Sequence, residues 1–261
     1  VVHYAGRDRL DDTLGTTLGR SVIDIVTTMP GWLLEANAVL HPRGSEYDTQ
    51  YVVDGMPLYD NRSLAFAPAF ETGEFEAVNV LTAGLPAEYG RRLGGVIALD
   101  TRRISRPGGA TSVDLLRGEY GTSMGSFGRQ QAWRQTALSI GVLGGATDRY
   151  LDPPSLENFT NRGSSQELTE RDRLTVYLRS NRTNFLVPND LAQQAAGQRQ
   201  DRRASETAGQ VHYQRVFSSR AMGSARGMVR DLSSRLWSNP LSAPVNVDQD
   251  RGFREGALQG D

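Results

Sequence analysis

The residues able to do chemistry are sparse and scattered. His3, His41 and His212 lie far apart in sequence, and none stands at metal-ligand spacing. Asp48, Asp54 and Asp60 recur every six residues, wider than a calcium loop requires, so they read as solvated turn residues. The chain has no cysteine, which excludes disulfides, thiolate metal sites and thiol catalysis. It contains no Gly-x-Ser-x-Gly elbow, no phosphate-binding Walker loop and no His-Glu-x-x-His helix. Leu93-Gly94-Gly95-Val96 lacks the spacing of a dinucleotide loop. No metal, no cofactor and no enzymatic activity are expected. Two charges are of another kind: Arg43 and Glu88 sit among small or apolar residues, where a charge needs a partner.

The elements that hold these residues can be read in outline. A formal net charge of −1 offers no global field for nucleic acid. All 29 basic residues are arginine, which genomic base composition accounts for. No stretch reaches the roughly 18 apolar residues of a spanning helix, and Val1–Leu10 lacks the apolar core of a signal peptide. The chain does not begin with Met, as expected of a processed or truncated product. One helix stands out. Ser21 is a good N-cap with Asp24 completing a capping box, and Val22, Ile25, Val26 and Met29 share a face that Pro30-Gly31 ends. Short strands follow at Tyr51–Val53, Glu76–Leu81 and Val96–Leu99, the first ended by the tight-turn dipeptide Asp54-Gly55. One helix with several short strands is a compact α+β unit.

The texture changes near Ile104–Ala110, where Arg, Pro and Gly cluster. Beyond it the chain alternates with period two. Leu138, Ile140 and Val142 face one way, and Leu174, Val176 and Leu178 oppose Arg173, Thr175, Tyr177 and Arg179. Val211 and Tyr213 oppose Gln210, His212 and Gln214, while Thr111–Phe127 and Ala225–Trp237 alternate less cleanly. Arg149–Gln166 and Phe185–Glu206 read as long polar spacers. Segments of about ten residues with one apolar face suit a transmembrane barrel strand, and a soluble β-sandwich gives nearly the same pattern. Trp133, Tyr150, Phe217 and Trp237 lie near strand ends, where a barrel places its aromatic girdles.

A series of motifs separates these alternatives. Met29-Pro30-Gly31 is followed by Pro42-Arg43-Gly44-Ser45 and Tyr51-Val52-Val53-Asp54-Gly55-Met56-Pro57-Leu58. Then come Val78–Gly90, which ends in Glu88-Tyr89-Gly90, Leu93-Gly94-Gly95-Val96-Ile97, and Asp100-Thr101-Arg102. Each is weak alone, but in this order they resemble the plug domain of TonB-dependent outer-membrane receptors. Asp148–Pro154 resembles the Oar-like receptors, which carry a carboxypeptidase-regulatory-like domain upstream.

The resemblance implies an α+β plug domain followed by antiparallel β-strands of an incomplete transmembrane β-barrel. The expected division is an N-terminal linker at 1–19, the plug at 20–103 and the start of the barrel at 104–261, with room for roughly five or six strands. The implied activity is uptake of a scarce nutrient, such as a metal chelate or an oligosaccharide, across a Gram-negative outer membrane. The implied partners are the inner-membrane TonB complex, outer-membrane lipid and that unidentified small molecule or oligosaccharide, with no nucleic acid. Val1–Gly19 holds no convincing TonB-contacting box. Plug-motif and barrel-contact candidates are Arg43, Gly44, Asp54, Gly55, Pro57, Glu88, Tyr89, Gly90, Gly94 and Gly95, with Arg43 and Glu88 expected to pair with charges on the barrel wall or inside the plug. Apical ligand-facing candidates are Ser45, Glu46, Tyr47, Asp60, Asn61 and Arg62. A soluble periplasmic or secreted β-rich binding module is the alternative. An open sheet leaves backbone groups unpaired in lipid, so these 261 residues alone are expected neither to insert nor to transport.

Overall fold

The computed structural model describes residues 2–12, 21–34, 40–43, 49–58, 70–89, 94–102, 107–133, 136–147, 155–167, 172–186, 197, 200–238 and 248–260. The first part holds β1 (Val2–Gly6), α1 (Arg7–Asp12), α2 (Ser21–Thr27), β2 (Trp32–Leu34), β3 (Leu40–Pro42), β4 (Thr49–Val53), β5 (Met56–Leu58), β6 (Phe75–Leu81) and β7 (Gly95–Thr101). The second holds β8 (Gly108–Arg117), β9 (Ser123–Ala132), β10 (Thr136–Thr147), β11 (Ser155–Glu167), β12 (Asp172–Leu186), β13 (Gln200–Ser218), β14 (Ala221–Ser238) and β15 (Gln249–Gly260).

The first five-stranded sheet has the order β1-β6-β7-β4-β5, with β4 and β7 parallel. Its core joins Val22, Ile25, Val26 and Met29 of the helical segment to Tyr51, Val53, Met56, Phe75, Val78, Val80, Ile97 and Leu99. The apolar helix face is therefore the one the 3.6-residue period marks. Ser21 acts differently from the expected cap. Its hydroxyl donates to Glu71 and accepts from the Thr72 N–H, tying α2 to a distant turn.

Residues 1–19, read as a linker, contain sheet structure. Val2–Gly6 pairs antiparallel with β6, from Val2↔Leu81 to Gly6↔Ala77. A five-residue strand whose ladder partner lies some seventy residues away has no local signature, because pairing and not its own alternation stabilises it.

The second sheet is an antiparallel meander of eight strands in sequence order, more than the five or six expected. Thr111–Phe127 is divided by a turn between β8 and β9, and the presumed spacer Arg149–Gln166 contains most of β11. Phe185–Glu206 contributes the end of β12 and the start of β13. The composition of β11 is polar, but ladders on both sides, to β10 and β12, supply its backbone bonds. Counted along the sequence, two to four residues separate the strands at 133–135, 168–171 and 219–220, and seven to thirteen at 148–154, 187–199 and 239–248.

One face of this sheet packs against the first part. Tyr177, Arg179, Gln210, Met228, Arg230, Leu232 and Glu255 are buried there, and Met228 joins the core of the first sheet. The opposite face presents apolar residues to the surroundings. Val176, Val211 and Leu258 share a register row with Gly227, and Leu178 and Val229 share the next with Gly209. Leu258 is 92% exposed and Val229 62% exposed, an arrangement that costs free energy in water and none in lipid. Exposed Trp133 and Phe217 mark the short-turn end of this face. There Tyr213 donates to Asp172 at 2.5 Å. Trp237 lies toward the other end, with Arg203 and Arg235 over its ring at 5.7 and 5.4 Å. Tyr150 lies outside the described residues.

Candidate functional site

The contact between the two parts centres on a 3₁₀ turn, Thr72–Glu74, just before β6. Phe70 and Phe75 anchor its two ends in the core, ring to ring at 5.6 Å. The Glu74 N–H bonds the Glu71 carbonyl, and the Glu71 N–H donates to Glu74 Oε1 at 3.1 Å. This fixes one carboxylate oxygen and leaves Oε2 directed at the wall. Oε2 accepts from the Tyr177 hydroxyl at 3.0 Å and from Arg179 Nε at 3.1 Å.

From Glu74 the charges alternate across four adjacent strands. Arg179 Nη1 on β12 donates to Glu206 Oε1 on β13 at 3.0 Å, and Arg230 Nε on β14 donates to the same oxygen at 2.9 Å. Arg230 Nη1 lies 3.5 Å from Glu255 Oε2 on β15. Every side chain in this series is at most 5% exposed. Register explains how it fits. Arg179, Ala208, Arg230 and Glu255 stand on one row of the sheet. The methyl of Ala208 leaves space between the two guanidinium groups, and Glu206 reaches both diagonally. The Arg179 guanidinium also covers the Phe70 ring, 4.4 Å from its centroid. Removing one member of such a pair leaves a charge in a low-dielectric site, which costs about 3–5 kcal/mol.

The turn is also tied to its own domain. Arg7, the first residue of α1, donates from Nη1 to the carbonyls of Thr72 at 3.0 Å and Phe75 at 2.7 Å. Burial, with help from Arg102, pulls the Arg7 pKa down to about 10 against the raising effect of Glu76 and Asp114, so it stays charged at neutral pH. The Arg102 N–H donates to the Glu74 carbonyl at 3.1 Å.

The residues singled out from sequence fall in several places. Asp54 and Gly55 both have positive φ, 48° and 82°, as a two-residue hairpin between β4 and β5 demands. The Asp54 carboxylate accepts from the Thr101 N–H at 3.0 Å and the Thr101 hydroxyl at 2.6 Å, locking the hairpin to β7. A Cβ on Gly55 would lie 3.4 Å from Arg226 on β14, so this hairpin tip abuts the wall. Pro57 pairs with Val52 in β5. Arg43 is exposed with φ 52°, its N–H bonded to the Gly31 carbonyl at 2.6 Å. Glu88 is exposed in a short 3₁₀ turn. Beside it, half-buried Tyr89 packs with Val52, Leu81 and Val96, and burial, Glu88 and Asp100 all push its pKa up.

Gly94 and Gly95 are buried. A Cβ at Gly95 would come within 2.6 Å of the Trp32 ring and 3.1 Å of the Leu81 carbonyl oxygen, so the close approach there is internal to the first part of the chain. Gly95→Ala is expected to cost about 1–3 kcal/mol by overpacking, measured as a lowered denaturation midpoint of the complete protein. Gly44, Ser45, Glu46, Tyr47, Asp60, Asn61, Arg62 and Gly90 lie outside the described residues. Among the described residues, no three His, Cys, Asp or Glu side chains converge as a metal site, and no helix is long and apolar enough to cross a membrane.

Sequence reading missed Glu74, Arg7, Glu206, Arg230 and Glu255. Glu71 and Glu74 flanking a Thr-Gly step before a strand resemble any turn. The polar faces of β12 and β13 were visible as polar, but alternation does not say which charges meet.

No protein-family model matches the sequence, and no curated protein sequence matches it. Solved structures do. The alcaligin outer-membrane receptor FauA of Bordetella pertussis superposes with a TM-score of 0.77 at 13% identity, over 99% of this chain and 42% of that one. The copper transporter OprC gives 0.76 at 12% identity, over 99% of this chain and 42% of its own. The siderophore receptor PiuA of Acinetobacter baumannii gives 0.73 at 14% identity, over 90% of this chain and 37% of its own. At these identities the likeness concerns the fold, and the chain spans about two-fifths of the length of the structures it matches. The protein has the fold of a receptor plug followed by the first strands of its antiparallel barrel.

Proposed function

We propose that the chain is the plug and the opening eight wall strands of a TonB-dependent outer-membrane receptor that imports a scarce metal chelate. The observation that carries this reading is the buried series Glu74, Arg179, Glu206, Arg230, Glu255, which fastens the first domain to the inner face of a meander. A plug must be held firmly enough to seal a wide lumen and by contacts that can be broken when substrate passes. Polar bonds answer that need, because water can replace each one once the plug moves. The exposed apolar rows on the outer face support a lipid environment and weigh against a soluble binding module. Under this reading the strands beyond β15 complete the cylinder, and the plug takes up residues 2–102.

The metal-chelate substrate is favoured over an oligosaccharide because the structural neighbours are named as receptors for alcaligin and other siderophores and as a copper transporter. Coupling to the inner-membrane TonB complex and the Oar-like assignment belong to the same proposal. The stretch behind the latter, Asp148–Pro154, lies outside the described residues.

The test is uptake in metal-starved cells. Deleting the complete gene is expected to lower import of at least one radiolabelled iron or copper chelate tenfold or more, with loss of a heat-modifiable outer-membrane band. Unchanged import of every chelate, with loss of oligosaccharide uptake, would overturn the substrate. A product found only in the soluble fraction would overturn the receptor.

A further inference from the structure

The sheet face that carries Val229 changes character toward the end where β12 leads to β13 and β14 to β15. Past the Leu178–Gly209–Val229 row comes the Asp231–Arg254 ion pair, then Arg182, then Arg203 and Arg235. The last three are exposed and, among the described residues, make no ion pair, although Asp250 stands opposite Arg235 in the register. Arg203 and Arg235 are direct cross-strand partners. Like charges so placed are destabilising by themselves, and an anion between them relieves the repulsion. Both guanidinium groups lie over the Trp237 ring, 5.7 and 5.4 Å from its centroid, and Arg203 Nε donates to Asn184 Oδ1 at 2.7 Å. The next row pairs Ser205 with Ser233, so only small side chains separate Arg182 from the pair. Six residues of β14 lie between the Val229 and Arg235 rows, about 20 Å of strand and about 14–16 Å of height at a 35–45° tilt. With Val229 near the midplane of an apolar band about 25 Å tall, Arg203 and Arg235 stand at the level of lipid headgroups. Arg182, one row lower, reaches that level by the length of its side chain.

We propose that Arg182, Arg203 and Arg235, beside Trp237, bind the phosphate groups of a phosphorylated saccharolipid in the outer leaflet. Guanidinium groups take phosphate through paired N–H donors, and an indole face steadies them by stacking. Three cations without a carboxylate in ion-pair contact match a headgroup that carries more than one negative charge. The occupant is a lipid and not free phosphate because the site runs straight into apolar rows. Leu178, Val211, Val229 and Leu258 are exposed along the path that its acyl chains take. The inference rests on the receptor reading, which supplies the lipid and turns the longer connections outward.

The test is binding of lipid A to the complete protein in detergent, read by native mass spectrometry, with the bisphosphorylated and the fully dephosphorylated forms as probes. The wild type is expected to bind the bisphosphorylated form at least about tenfold more tightly, the loss expected when charge-assisted hydrogen bonds are removed. Arg203→Gln/Arg235→Gln is expected to bring the two forms to equal affinity and to leave binding of the dephosphorylated form unchanged. Arg215→Gln, at the opposite end of the same strand as Arg203, is expected to match wild type. Equal affinity of wild type for the two forms would overturn the proposal, and so would a double variant that still prefers the phosphorylated one. Displacement of the lipid by equimolar inorganic phosphate would overturn the lipid assignment in favour of free phosphate. A heat-modifiable protein that binds both forms alike removes the lipid site alone. A protein with no heat-modifiable form removes the receptor reading as well, so the two failures are distinguishable.

Discussion

Arg179→Met in the complete protein is expected to destabilise the plug–wall assembly by about 3–5 kcal/mol. The substitution keeps much of the side-chain volume and removes the cation standing between Glu74 and Glu206. Glu206 retains Arg230, but Glu74 is left with the Tyr177 hydroxyl and the Glu71 N–H. Two neutral donors do not offset a carboxylate held in a site 2% exposed. Glu74→Gln is expected to cost less, about 1–3 kcal/mol, because Arg179 keeps Glu206 and the amide oxygen still accepts. Denaturant unfolding in detergent, followed by the fluorescence of buried Trp32, reads both. The ordering matters as much as the size. A sealed, dry contact makes losing the central arginine worse than neutralising the terminal acid. A solvated contact makes both effects small.

Val229→Arg is expected to reduce assembly of the folded barrel by about 2–4 kcal/mol, the cost of an arginine near the bilayer midplane. Val229 lies on the face opposite the buried charges and is 62% exposed. Its row holds Leu178, and the neighbouring row holds Val211 and Leu258. Ser233→Arg on the same face of β14 lies past the exposed Asp231–Arg254 ion pair and is expected to have almost no effect. Transmembrane strands need about 9–11 residues, whereas β13 and β14 have 19 and 18. Their far halves therefore rise beyond the apolar rows, which is why two positions on one strand differ. The fraction of heat-modifiable protein in outer-membrane preparations distinguishes them. Equal effects at the two positions would mean that this face does not meet lipid.

Local chemistry was the legible part of this molecule. The α2 face at Val22, Ile25, Val26 and Met29 follows from helical period, and the Asp54-Gly55 hairpin follows from the need for two positive φ angles. Leu174, Val176 and Leu178 were correctly separated from Tyr177 and Arg179, because a pleated strand sends alternate side chains to opposite faces. What escaped was everything decided at long range. β1 is a strand because β6 is beside it, and β11 is a strand because β10 and β12 flank it. Both have compositions that read as connection. Ser21 looked like a cap and bonds Glu71, fifty residues on.

The buried charged contact was hidden for the same reason. Arg43 and Glu88 attracted notice as charges in apolar text, yet both are exposed. Glu74, in an ordinary polar turn, is the plug charge buried against the wall among the described residues. Its environment comes from strands a hundred residues away, so no window around Glu74 contains the information. Gly95 shows a milder version. The absence of a side chain there was read as clearance from a wall, and the close neighbour is Trp32 of the same domain.

A double-mutant cycle between Glu74 and Arg179 bears most directly on the claim that the first hundred residues sit fastened inside a wall of strands. Unfolding free energies of the complete protein would be measured for wild type, Glu74→Gln, Arg179→Met and the double variant. Enclosure predicts that the two losses fail to add, with a coupling of about 1–3 kcal/mol, the range for contacting charged residues in one network. Strict additivity, within about 0.3–0.5 kcal/mol, would contradict it, since that is how distant sites behave.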